Sequence, residues 1–171
     1  MFDPTAFENM KVVIEGALYD LDIDGEIRIV DRNDWMNTAK LLRKYEISFT
    51  NNDDIICTLV LEAGLENLAA ELLPAVQTTR LAGSHLLVKF SFNHRDDELI
   101  YKKITNILKD IWGPGRTIQQ RIVFDPLTKE NLVANEATIT FNRLVYEDQM
   151  DDLVLMVEFM LLSIEKLRSV I

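Results

Sequence analysis

Residues 147–171 carry the densest apolar run in the chain, and its spacing is helical. Leu153, Val157, Met160, Ile164, Leu167 and Ile171 step by four, three, four, three and four, which places all six on one stripe of a helix. Leu155, Phe159 and Leu162 repeat at the same interval on another face, and only Glu158 and Ser163 interrupt the run from Leu153 to Ile164. A helix that is apolar on two faces needs two things to bury against. One is the chain's own sheet; the other is a second copy or a partner. The apolar part covers about twelve residues, short of the roughly twenty needed to span a bilayer, so no membrane insertion is expected.

The elements before this helix read as α+β, with a largely antiparallel sheet and helices on one face. Asp3 as N-cap and Pro4 at the first helical position would open a short helix ending near Met10. Residues 11–23 are rich in β-branched side chains and read as a strand. Asp24-Gly25 is the turn and residues 26–31 the return. That register pairs Ile23 with Ile27 and Leu21 with Ile29, four apolar side chains on one face. The competing helix would run through Phe7, Met10, Ile14, Ala17 and Leu18. Val12-Val13-Ile14 and Gly16 weigh against it.

A helix capped by Asn33 or Asp34 should follow to Tyr45, with Trp35, Ala39 and Leu42 inward. Strands are expected over 46–50 and 55–63, and a helix after Gly64 that stops at Pro74. The remainder reads as strands over 76–81 and 86–92, a helix that starts at Asn93 to Asp97, has Ile100, Ile104, Ile107, Leu108 and Ile111 as its inner stripe and is closed by Gly113-Pro114-Gly115, strands over 117–124 and 137–146, and the last helix from Asp148. Residues 1–171 read as one domain, and this order suggests two similar ββαββα halves, 11–75 and 76–171.

Composition narrows the function classes. With 48% hydrophobic residues in 171, a sizeable core is available. The net charge is −10, and nearly all of it lies in the first half: residues 1–75 hold six Lys/Arg against 15 Asp/Glu. Such a surface repels phosphate backbones, so no nucleic-acid partner is expected and a basic protein partner fits better. The single cysteine, Cys57, can make no internal disulfide, which points to a reducing, cytoplasmic compartment. Met1-Phe2-Asp3-Pro4 shows neither the basic stretch nor the apolar segment of a signal peptide.

No catalytic, cofactor or metal signature emerges. Asp20, Asp22, Asp24, Gly25 and Asp31 match positions one, three, five, six and twelve of an EF-hand calcium loop. Arg28 at position nine, the shorter Asp at twelve and the strand-like flanks favour an acidic hairpin instead. His94 beside Arg95, Asp96, Asp97 and Glu98 could support acid–base chemistry, but the cluster reads as the solvated first turn of a helix. His85 is out of phase with its strand and should be exposed. Cys57 alternates with Ile55 and Leu59 and should be inert packing. Gly113-Pro114-Gly115-Arg116 reads as a helix-ending turn, and Arg116, Arg121, Lys129 and Arg143 as scattered solvated cations.

The expected function is therefore a non-catalytic interaction, adaptor or chaperone-like module. It would form a homodimer through its helical layer, using Leu155, Phe159 and Leu162 with Asp151 and Asp152 as an acidic rim. In general character, small acidic α+β dimers of this kind resemble bacterial secretion chaperones. The alternative is a small-molecule-binding module, with Trp35, Tyr45, Phe90, Phe92, Trp112 and Phe141 lining a pocket between sheet and helices or between the halves. An enzyme using a His–carboxylate pair is the third reading.

Overall fold

A computed structural model of the protein describes residues 5–73 and 79–171. The chain runs α1 (Ala6–Ile23), β1 (Arg28–Asn37), β2 (Leu42–Thr50), β3 (Ile56–Ala63), α2 (Leu65–Leu72), β4 (His85–Arg95), α3 (Glu98–Trp112), β5 (Arg116–Val123), β6 (Leu132–Phe141) and α4 (Met150–Arg168). All six strands join one antiparallel sheet in the order β1-β2-β3-β4-β6-β5. The α+β architecture is as the sequence indicates. The order within it is not ββαββα twice: it is helix, three strands, helix, and then strand, helix, two strands, helix.

The sheet alternates. Tyr45, Ile47 and Phe49, then Cys57, Leu59 and Leu61, then Leu86, Val88 and Phe90, and then Ala137 and Ile139 are buried on one face. Most intervening positions, such as Ser48, Thr58, Lys89 and Thr138, are polar and more accessible, with Val60 the fully buried exception. A period of two on every central strand leaves one apolar face to be covered. Helices α1, α4 and α3 cover it side by side, with α4 touching both of the others. Leu153, Val157, Met160, Ile164 and Leu167 all point into the core, so the long stripe on α4 is accounted for; Ile171, at its end, is 36% exposed.

The largest departure from the sequence reading is α1. Residues 11–21 are helix, not strand. Phe7, Met10, Ile14 and Leu18 are all fully buried, and their three–four–four spacing is a helical stripe. A helix over the apolar sheet buries these four together. That outweighs the modest helix propensity of two valines and a glycine. The cap is Thr5, whose hydroxyl accepts from the Glu8 N–H at 3.3 Å; Asp3 and Pro4 lie outside the described residues. Helix α1 is pinned to the β1–β2 edge by a polar cluster. Lys11 Nζ donates to Asp34 Oδ2 at 2.9 Å, Arg43 contacts both Asp34 and Glu8, and its guanidinium carbon lies 4.7 Å from the centre of the Phe7 ring. Burial alone would raise the Asp34 carboxyl, but hydrogen bonds from Arg43 and Lys11 more than reverse this and hold it below its ordinary value.

The helix expected over 34–45 is instead the end of β1, a turn and the start of β2. Asp34, Trp35, Met36 and Asn37 pair with Tyr45, Lys44, Arg43 and Leu42. The Asn37 side chain accepts from the N–H groups of Ala39 and Lys40 and so shapes the turn, in which Leu41 takes a positive φ of 51°. Residues 79–81 form a short 3₁₀ turn rather than a strand, and residues 76–78 and Pro74 lie outside the described residues. Strand β6 ends at Phe141, not Tyr146. A Cβ on Gly83 would meet Val145 O at 2.8 Å, where Ser84 bridges to Val145; only glycine permits that approach.

Ser163 is the one polar residue buried on α4. Its hydroxyl accepts from Trp112 Nε1 at 2.9 Å and donates to Phe159 O at 2.7 Å, so the Ser interruption in the apolar run is a latch between α3 and α4.

The helical assignment of residues 11–21 makes two neighbouring substitutions behave differently. Ile14→Ala should cost about 2–5 kcal/mol. Val12→Ala should stay within about 0.5 kcal/mol of the parent, since Val12 is 59% exposed on α1. A strand would put both side chains on one face and give similar losses. Urea unfolding of the two variants checks this.

Candidate functional site

The outward side of α4 carries an exposed apolar stripe. Its acidic start, Asp151 and Asp152, occupies the first turn, where carboxylates offset the positive end of the helix dipole. Leu155, Phe159 and Leu162 follow on the same side, 52%, 45% and 38% exposed. Lys166 comes one turn after Leu162 and is also exposed. The middle helix of a three-helix layer has its inner face on the sheet and its flanks against α1 and α3, which leaves this back surface open. One edge of it is fixed: the Phe159 ring lies 5.9 Å from that of Trp112 on α3.

The other residues singled out in the sequence fall as follows. His94 is not in a solvated helix turn. It continues the Phe90–Phe92 alternation to the end of β4 and is only 3% exposed. Its Nδ1 lies 2.6 Å from Arg95 O, which can only accept, so Nδ1 carries the proton. Nε2 then accepts from Asn135 Nδ2 at 2.9 Å. Asn135 Nδ2 also donates to Gln120 Oε1 at 2.8 Å, and Gln120 Nε2 donates to Tyr101 O and to Thr105 Oγ1. Both histidine nitrogens are occupied by neutral partners. Asp97 is the N-cap of α3, accepting from Leu99 N at 2.8 Å, and Asp96 accepts from the Tyr101 hydroxyl. No carboxylate is paired with the ring among the described residues, so the His–carboxylate pair does not form.

Asp20 and Asp22 lie on the last turn of α1, and Asp24 is its C-cap, with the cap N–H bonded to Asp20 O. Gly25 follows at φ 77°, as a helix-ending turn requires. Asp22 Oδ1 accepts from Ile29 N. The EF-hand spacing therefore coincides with a helix end, and the hairpin expected there is replaced by it. Among the described residues no group of three or more His, Cys, Asp or Glu is placed to hold a metal ion. Cys57 is fully buried in β3, and burial pushes its thiol well above the ordinary value. His85 is exposed on β4 opposite Glu62.

Of the aromatic set considered for a pocket, Tyr45, Phe90, Phe92, Trp112 and Phe141 are core, while Trp35 stands on the open face of β1, 54% exposed, donating to Glu46. Of the four cations, Arg121 pairs across the ladder with Glu136, and Lys129 lies in the exposed β5–β6 connection. Arg116 and Arg143 come together beside α4.

The His94–Asn135–Gln120 network was not anticipated. Asn135 gives the signal that could have revealed it: it occupies an inward position in the alternation Val133, Asn135, Ala137, Ile139, and a buried amide needs partners.

In comparison with known proteins, the chain matches no family model, no curated protein and no solved structure. No helix among the described residues is long and apolar enough to cross a membrane.

Asn135→Ala should destabilise the protein by about 1–3 kcal/mol, because it strands His94 Nε2 and Gln120 Oε1 without a donor. Asn93→Ala, at an exposed position on the neighbouring strand β4, should be close to neutral. Thermal or denaturant unfolding of both variants provides the measurement.

Proposed function

We propose that the protein is a non-catalytic interaction module, adaptor- or chaperone-like, that self-associates through the outward side of α4. The observation carrying this reading is the order of chemistry along that helix. Acid comes first, at Asp151 and Asp152. Apolar residues hold the centre, at Leu155, Phe159 and Leu162. A base, Lys166, stands at the far end. Such a stripe is complementary to itself when reversed. A second copy packed antiparallel about Phe159 sets Asp152 of one chain against Lys166 of the other and Leu155 near Leu162. The two-fold relation then satisfies both ends at once. A foreign partner would have to reproduce the same pattern.

Packing of this kind rests on the apolar centre, with the charges setting orientation. A central aromatic in a desolvated patch is the residue type on which such interfaces depend most. The acidic first half of the chain remains free to meet a basic partner in this arrangement.

Sedimentation velocity at micromolar concentration tests the reading. The parent protein should be a dimer. Phe159→Glu should weaken it by about 2 kcal/mol or more, roughly thirtyfold in Kd. Asp152→Lys and Lys166→Glu should each weaken it, and the double exchange should recover it. A parent protein that sediments as a monomer removes the proposal.

A further inference from the structure

A cavity of about 200 Å³ opens between the end of the sheet and the first half of α4, walled by Leu86 and Phe141 on the sheet and by Leu155, Met156 and Phe159 on the helix. Arg116 and Arg143 both line it. Neither is neutralised. The Arg116 guanidinium lies over the Phe141 ring, 4.4 Å from its centre, and its Nε is buried with no hydrogen-bond partner. Arg143 Nη1 donates to Leu144 O and to Gln149 Oε1, both uncharged. Asp152 also lines the cavity but comes within ion-pair distance of neither arginine.

The chain's net charge is −10, and the part-buried cations Lys11, Arg43, Lys44 and Lys89 all find carboxylates. Burial, and then the charge of Arg143, hold Arg116 below the usual guanidinium value. Buried donors without partners are rare, and guanidinium N–H groups match the planar fork of a carboxylate.

We propose that this cavity binds a small monocarboxylate, with its anionic end on Arg116 and Arg143 and its apolar body against Leu155 and Phe159. The size and the charge both select for this class. At roughly 30 Å³ per water, the space holds the equivalent of about six or seven waters, enough for a short branched or aromatic acid and too little for a nucleotide. Two arginines against one aspartate leave a single positive charge, which suits a monoanion better than a dianion. The carboxylate can come from a free acid or from the last residue of a peptide.

Isothermal titration of the full chain with phenylacetate, isovalerate, N-acetylleucine, acetate, phenylacetamide and phenyl phosphate tests the proposal. Saturable binding is expected for phenylacetate or isovalerate if the source is a free acid, and for N-acetylleucine alone if it is a chain terminus. Acetate, without an apolar body, and phenylacetamide, without the charge, should each bind about tenfold more weakly or not at all. Arg116→Gln and Arg143→Gln should each weaken binding about tenfold or more while leaving the melting temperature nearly unchanged. Leu162→Glu, which removes an apolar contact from the α4 stripe but does not line the cavity, should still bind. Failure of self-association and failure of ligand binding are thus separately visible. Absence of saturable binding by every carboxylate, equal affinity in both arginine variants, or binding of phenyl phosphate in preference to phenylacetate would overturn the proposal.

Discussion

The apolar face of the six-stranded sheet is the constraint from which the rest of the molecule follows. Alternation on β2, β3, β4 and β6 gathers most of the large side chains on one side, and at about 25 cal/mol per Å² that surface cannot be left in water. Three helices laid side by side cover it. Each brings its own stripe, and α4, with neighbours on both flanks, sits in the middle. A middle helix has only one side left, and on α4 that side is Leu155, Phe159 and Leu162. The surface proposed to mediate self-association is thus a consequence of how the sheet is covered, with a surplus of apolar side chains that the sheet does not require.

The same arrangement creates the arginine-lined cavity. Strand β5 crosses to the edge beyond β6, which carries Arg116 to the end of the helical layer. Strand β6 ends at Phe141, and the chain turns through Arg143 toward α4. The apolar wall of the cavity is shared with the outward stripe of α4, since Leu155 and Phe159 belong to both. The interaction surface and the ligand site proposed here therefore overlap at Leu155 and Phe159, while Lys166 and Leu162 belong to the first alone and Arg116 and Arg143 to the second alone.

Much of this was legible before any coordinates. The α4 stripe, the alternation of β3 and β4, the helix over α3 with its inner stripe and the α+β class all follow from period alone, because those segments are long and their periods unambiguous. Residues 11–21 were misread because local propensity was set above the Phe7–Met10–Ile14–Leu18 spacing; burial decided the matter. The Trp35 segment was misread for the opposite reason. Its strand lies at the sheet edge with most side chains exposed, so it has no clean alternation to recognise, and its pairing with β2 is a tertiary fact. The convergence of Arg116 and Arg143 could not be read at all, since 27 positions separate them and only the fold brings them together. The buried setting of His94 was half legible: its phase with Phe90 and Phe92 indicated the inner face, while the charged residues after it suggested solvent.

Disulfide trapping at α4 tests the central claim most directly. If two copies meet antiparallel about Phe159, a Leu155→Cys chain and a Leu162→Cys chain should cross-link when mixed. Their Cα positions then differ by only about 1.5 Å along the axis. Each variant alone should not cross-link, since its two copies would lie about 9–12 Å apart along the helix, beyond the reach of a disulfide. Cys57, buried in β3, takes no part. A mixed cross-link without self cross-links is the predicted result. Self cross-links without the mixed product, or no cross-link at all, would contradict it.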